Sequence, residues 1–242
     1  MKRALAAAIC LSILTAAESR AESIEAVKKA IHAKVSGHRS LQFKSRSVTD
    51  MQTPQITMKS TSDLTAEYVR QGDKTLSRVE SKTSSDNKIG DMSQKTEAAT
   101  IDIFDGKHRY TYTESGGQKT ATKRNVDPQS EPSPFDAMAG FAMMERHFDL
   151  KLLPDETVNG KPAYVFELTM KQMPAGAPVG KSKVYYDKAT GISIKSLAYD
   201  DKGKVMTSTE TTEVKIDPSI PPGRFTFKAP PGVTVQDETT GG

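Results

Sequence analysis

Over residues 40–124, and again over 163–227, apolar and polar side chains alternate in short runs that stop at tight-turn residues. A period of two sends successive side chains to opposite faces of a pleated strand, so these runs predict β-strands with one face covered. Leu41 and Phe43 share a face. Leu64, Ala66 and Tyr68 share another before Gln71-Gly72-Asp73, and Ile101 and Ile103 lead into Asp105-Gly106. His108, Tyr110 and Tyr112 then alternate up to Gly116-Gly117. Asp-Gly and Gly-Gly suit the positive φ of two-residue hairpins. Residues 81–96 are polar throughout and predict a long loop or a ragged sheet edge. Further on, Tyr164, Phe166, Leu168 and Met170 fall on one face, and Val184 and Tyr186 lead to a turn at 187–191. Ile192 and Ile194 continue to Asp200-Asp201-Lys202-Gly203, residues 205–216 return, Phe225 and Phe227 predict a short final strand, and Val233 and Val235 extend it. The fold class that follows is mostly β (α+β), with a strongly curved antiparallel sheet and two helices.

The first helix is marked by Ile24, Val27, Ile31 and Val35 at helical spacing, with Ser23 placed to cap it and Gly37 to end it. Lys28, Lys29 and Lys34 are read as lying off that apolar stripe, which leaves one face wet. The second helix is predicted over 134–147, after Pro128 and Pro132, with Ser133 as cap, Pro134 at the first position and Asp136 three residues after the cap. Phe135, Met138, Phe141, Met143, Met144 and Phe148 lie in or beside it, and its charges sit near its ends. A helix apolar nearly all round is buried on two sides. It is either an ordinary core helix or a lid over a cavity for an acyl chain or similar ligand. The proline-rich entry and the absence of Trp favour the lid, because a curved sheet short of aromatic bulk must be filled by helices and ligand.

At the N-terminus, Lys2 and Arg3 precede an uncharged run over 4–17, and Ser19-Arg20-Ala21 follows. These are the marks of an export signal cleaved after Ala21. The run falls short of the roughly 20 apolar residues that cross a bilayer. Cys10, the only cysteine, lies within the run and too early to carry a lipid at the cleavage point, so the exported chain has no thiol chemistry. Taking Lys2, Arg3, Arg20 and Glu18 away from 34 basic and 30 acidic side chains leaves a net charge of +2. The basic residues are dispersed, which argues against a nucleic-acid partner. The expected organisation is a signal peptide at 1–21, one domain at 22–237 and a flexible tail at 238–242.

Catalytic chemistry is not signalled. His32, His38, His108 and His147 are scattered without metal-ligand spacing, and Asp200-Asp201-Lys202-Gly203 lacks the alternating ligands and closing Glu of a calcium loop. There is no Gly-x-Ser-x-Gly, phosphate loop or His-Glu-x-x-His. The expectation is a protein that is not an enzyme and uses no metal or cofactor.

Several short motifs carry a resemblance: Val158-Asn159-Gly160-Lys161-Pro162-Ala163-Tyr164, Val184-Tyr185-Tyr186-Asp187 with Gly191, Asp200 to Gly203, Phe225-Thr226-Phe227 and Pro231-Gly232-Val233. With the order helix, meander, apolar helix, meander, the chain resembles the LolA-like superfamily of outer-membrane lipoprotein-sorting proteins. The resemblance implies a half-open barrel whose apolar concave face is covered by an N-terminal helix and a Met/Phe-rich lid helix. It implies a periplasmic carrier or binding protein for lipoprotein acyl chains or lipid, with an inner-membrane transporter and an outer-membrane acceptor as candidate partners; a monomer is the default expectation. The alternative is an envelope-stress sensor or regulatory domain of the same fold that binds a protein partner. Arg39, Arg46 and Arg70 all remain open as the basic residue that locks the lid. The alternation places Phe43, Tyr110, Tyr112, Phe166, Leu168, Met170, Ile192 and Ile194 toward the cavity, with Phe135, Met138, Phe141, Met144 and Phe148 above them.

Overall fold

The structure, a computed structural model, describes residues 22–53, 56–127, 133–172 and 180–239. The expected export signal with Cys10 and its cleavage point, Pro128 and Pro132, and the last residues of the expected tail lie outside these residues. Helix α1 (Ile24–Val35) begins where Ser23 Oγ accepts a hydrogen bond from the Ala26 N–H at 3.2 Å. Six strands follow: β1 (Ser40–Gln52), β2 (Ile56–Gln71), β3 (Lys74–Ile89), β4 (Met92–Phe104), β5 (His108–Ser115) and β6 (Gln118–Asn125). Helix α2 (Ala137–His147) leads into β7 (Phe148–Val158), β8 (Lys161–Met170), β9 (Lys181–Asp187), β10 (Ser193–Tyr199) and β11 (Val205–Ile216). A short 3-10 turn (Pro222–Phe225) and β12 (Val235–Asp237) complete the chain.

All twelve strands form one curved, open sheet in the order β12-β6-β5-β4-β3-β2-β1-β11-β10-β9-β8-β7. It consists of two antiparallel meanders joined where β1 pairs with β11, Leu41 opposite Ile216. Among the described residues, only β12 runs parallel to its neighbour, β6. Directly opposed residues of paired strands share a face, so the register assigns each side chain to one of two faces. One, the helix face, carries Leu41, Phe43, Ala66, Tyr68, Phe166 and Leu168, and α1 and α2 pack on it. The opposite face carries Glu67, Arg78, Ile101, Ile103, Tyr110 and Tyr112, and residues 217–234 cross it as a strap.

Several expectations need correction. Residues 81–96 are no loop: Ser77 to Ile89 pair continuously with Phe104 to Met92, closing at Gly90 with φ +58°. Backbone pairing on both sides sustains strands that their polar side chains do not advertise. Helix α2 starts three residues later than predicted, with Asp136 as its cap; Asp136 Oδ1 accepts from the Ala139 N–H at 3.0 Å, and the Ser133 hydroxyl serves the preceding turn and Thr75 of β3. Phe148 is not a helix residue but the first of β7, an edge strand the sequence reading overlooked. Phe225 closes the 3-10 turn, and Phe227 lies in no strand; its ring stacks on Tyr110 at 5.3 Å between centroids. At the turn after β9, Gly191 has φ +72°, and a Cβ there would stand 2.9 Å from the Ile31 carbonyl oxygen of α1. Only glycine admits that approach.

Candidate ligand-binding face

Beneath the helices the packing is direct. Val27 and Ile31 of α1, Phe141 of α2 and Phe166 and Leu168 of β8 form one buried cluster, with Met144, Phe148 and Tyr186 against it. Phe141 lies 5.2 Å from Phe166 and 5.5 Å from Tyr186 between ring centroids, within the range of favourable aromatic pairs. Beside this cluster, Val35, Leu41, Phe135 and Ile192 form a second, with Phe43 and Tyr68 packed on it. The Arg70 guanidinium sits 5.0 Å over the Phe135 ring and donates to the Ser36 carbonyl at the end of α1.

One cation is central to this face. Lys28 is 2% exposed and its ammonium bonds to Glu145 of α2 and to Glu25 of its own helix. Burial works against its charge, but the two carboxylates outweigh it and hold its pKa above the ordinary lysine value. The expectation that Lys28 lies off the apolar stripe is therefore corrected. It stands four residues after Ile24 and three before Ile31, which places it on the stripe. Of the three arginines left open, Arg70 touches the helices, while Arg46 faces Asp63 on the opposite side of the sheet at 3.6 Å and Arg39 is engaged through its backbone N–H. The side chain that ties α2 to α1 is Lys28.

The face continues past the helices with an ion pair, Asp102 of β4 with Arg109 of β5 at 3.4 Å, and beyond it, among the described residues, with no charge on β1 to β4. Across β1 to β4 its successive rows read Ser45, Leu64, Ser81 and Thr100; Ser47, Ser62, Thr83 and Ala98; Thr49, Ser60, Ser85 and Thr96; and Met51, Met58, Asn87 and Gln94. Hydroxyls pair within it, Ser62 with Thr83 at 2.9 Å and Thr209 with Ser47 at 3.1 Å. Over 81–88 of β3 the residues of this face are half-buried while those of the other are exposed. At the outer end stand Ile56, Ile89 and Met92, the last 72% exposed.

The opposite face of the same strands is a mosaic of charge. Lys44 pairs with Glu213 at 2.9 Å and Lys95 with Asp86 at 3.7 Å, and a cleft of about 580 Å³ runs between Lys44, Arg46, Asp63, Glu80, Lys82 and Glu210. The strap closes one end of it. Arg224 donates to Glu67 at 2.7 Å and to Glu80 at 2.9 Å, and Arg78 donates to Glu80 and to the Arg224 carbonyl. Burial would raise the Glu80 pKa, but the Arg78 and Arg224 guanidinium groups win and lower it. At the start of the strap, Asp217 accepts from the N–H groups of Arg39 and Ser40, and the Arg39 bond above all depresses its pKa.

The predicted cavity residues therefore separate. Phe141, Met144, Phe148, Phe166 and Leu168 meet in the first cluster, Phe43, Phe135 and Ile192 in the second, and Met170 lies opposite Phe148 at the β7–β8 edge. Met138 is half-buried on α2 outside both. Tyr110 and Tyr112 belong to the opposite face, beneath the strap, because Ile103 and Ile101 stand directly across from them. Ile194 also leaves the set: an irregularity between Ser193 and Lys195 turns it toward Val165 and Tyr185 on the opposite face. The Arg224–Glu67–Glu80 network was not anticipated; Glu67 among the alternating residues of β2 was its only trace.

A half-open curved sheet with two helices on one face is the architecture implied by the LolA-like resemblance; the strap on the other face was not anticipated. No family model and no curated protein matches the sequence. The fold is shared with an uncharacterized conserved protein from Thermus thermophilus, at 13% identity and a TM-score of 0.52 over 90% of this chain and 100% of that one. Matching solved structures also include the Pseudomonas aeruginosa MucA/MucB complex, at 15% identity and a TM-score of 0.44, covering 84% of this chain in a separate MucB structure and 83% in the complex. This chain spans 59% of that matched chain. A putative outer membrane lipoprotein-sorting protein domain from Vibrio parahaemolyticus matches at 13% identity and a TM-score of 0.34, over 82% of this chain and 93% of that domain.

Proposed function

We propose that this protein binds and carries acyl chains of lipids or lipidated proteins outside the cytoplasm, on the charge-poor rows of the helix face and their margin with α2. The observation that supports this most is the continuity of that face along β1 to β3, where the apolar clusters under α1 and α2 run through Phe43, Ala66 and Val79 into Leu64 and the hydroxyl rows, the nearest charge on β4, Asp102, being paired with Arg109 at 3.4 Å. Burying a charge without a partner is costly, so rows kept free of charge, opposite a strongly charged face, suit an apolar occupant. Helix α2 is the movable cover, since Phe141 is its only fully buried side chain while Met143 is 48% exposed. The second reading, a domain that docks a protein, draws on the exposed Ile56, Ile89 and Met92 at the outer end of the face.

Native mass spectrometry of protein purified from an envelope fraction, followed by lipid extraction, tests the carrier reading. A co-purifying lipid or acylated protein supports it; a clean apo mass with no binding of a fluorescent fatty acid overturns it. Phe141→Asp would unfold the cluster and decides nothing. Met138→Asp, half-buried beside the cluster, is expected to abolish fatty-acid binding while moving stability by roughly 1 kcal/mol or less.

A further inference from the structure

Strand β6 is the last full strand of the sheet on its side, and its outer edge is only partly used. Beyond it, β12 pairs with three residues, Val235 opposite Ala121, Gln236 opposite Thr122 and Asp237 opposite Lys123, so Gln118, Lys119 and Thr120 face no strand among the described residues. The pairing is parallel, the weaker mode per residue. What holds it beyond the ladder is charge and polar contact: Lys123 Nζ donates to Asp237 at 3.1 Å, the Glu238 N–H donates to the Lys123 carbonyl at 2.7 Å, and Asn125 donates to the Thr239 carbonyl at 3.1 Å. The strand, Gln-Lys-Thr-Ala-Thr-Lys-Arg-Asn, carries three basic side chains and no acidic one. The segment lying on it is apolar and then acidic, Val235 followed by Asp237 and Glu238.

We propose that the outer edge of β6 is a docking edge for an acidic, extended segment of a protein partner, which adds as a strand and displaces β12. The chain's own segment occupies the edge with the chemistry such a partner would bring: an apolar residue opposite Ala121 and a carboxylate on Lys123. Main-chain hydrogen bonds to an open edge supply affinity and the flanking side chains supply selectivity. The edge is independent of the helix face and of any lipid bound there.

The test uses the full chain and a dye-labelled peptide with the sequence of residues 233–239, alongside a control peptide with lysines in place of its two acids. Fluorescence anisotropy is read for the native protein, for Asp237→Lys, which unpins β12, and for Lys123→Glu in that background. The acidic peptide is expected to bind Asp237→Lys about tenfold more tightly than native, as when an edge open in roughly a tenth of molecules becomes freely open. Lys123→Glu is expected to abolish that binding, with an unchanged melting temperature showing that the sheet remains intact. Equal binding of the two peptides, or none to Asp237→Lys, overturns the proposal and leaves the lysines as guards against strand pairing. Dimers of Asp237→Lys in sedimentation also overturn it, in favour of a second copy as the occupant.

Discussion

Lys28 keeps a full charge beneath two helices because carboxylates from both reach it, and its aliphatic stem leaves the ammonium 6.0 Å from the centre of the Phe141 ring. For such a pair the cost of desolvation cancels much of the attraction, so replacing the cation with an apolar isostere is mild while stranding it is not. Lys28→Met is expected to change stability by under about 1 kcal/mol, whereas Glu145→Ala, which leaves the ammonium with Glu25 alone, costs about 2 kcal/mol. Urea denaturation measures both, and a larger loss for Lys28→Met than for Glu145→Ala would sink this account. The position itself was open to a reader of the sequence, since residue 28 falls on the stripe of Ile24, Ile31 and Val35. Its partner was not, because no local pattern joins residue 28 to residue 145.

Among the elements, strands were legible where one face was kept apolar, as at Leu41 and Phe43 or Tyr164 to Met170, although β7, whose Phe148, Leu150 and Leu152 alternate as clearly, was overlooked. They were illegible over residues 81–96, where hydroxyl side chains on one face alternate with charged ones on the other and hydropathy barely changes. The strap was hidden for a different reason: Pro218, Pro221, Pro222, Pro230 and Pro231 give it no period, and its place is set by Arg224 and by its two anchored ends. Its anchors titrate together. Glu80 and Asp217 have depressed pKa values, and Asp237 is lowered to about 2, chiefly by the Thr239 hydroxyl and N–H and then by Lys123. A carboxylate whose folded pKa lies below its unfolded one stabilises at pH above the unfolded value, and that contribution disappears as pH falls through the folded one. The strap is therefore expected to hold at neutral pH and to loosen between the ordinary carboxylate range, about 4, and the value of about 2 at Asp237. A fluorine label on Phe227, stacked on Tyr110, would report the release by NMR. Loss of that signal only in step with labels in the Phe141–Phe166 cluster would show that the strap has no transition of its own.

In the whole molecule, the two meanders touch as strands, among the described residues, only at the β1–β11 seam, yet they are laced together by the segments that leave them. Helix α1 precedes the first meander but lies on Phe166 and Leu168 of the second. The strap follows the second meander but lies on Arg78, Glu67 and Tyr110 of the first. Each half thus supplies part of the other's cover, although α2 also packs on its own half and Val35 of α1 on Leu41 of its own. Separated from its neighbour, the piece 22–127 would lose the strap and the piece 133–239 would keep α2 but lose α1, so each would expose part of its sheet. Neither piece is expected to melt cooperatively alone, and mixing them is expected to restore one transition by calorimetry; a cooperative melt of either alone would refute this. The exchange makes the long seam, whose closure spans most of the chain, worth closing: only when both halves are present does either become a finished object, and a nascent chain that has made just its first half is still only partly covered.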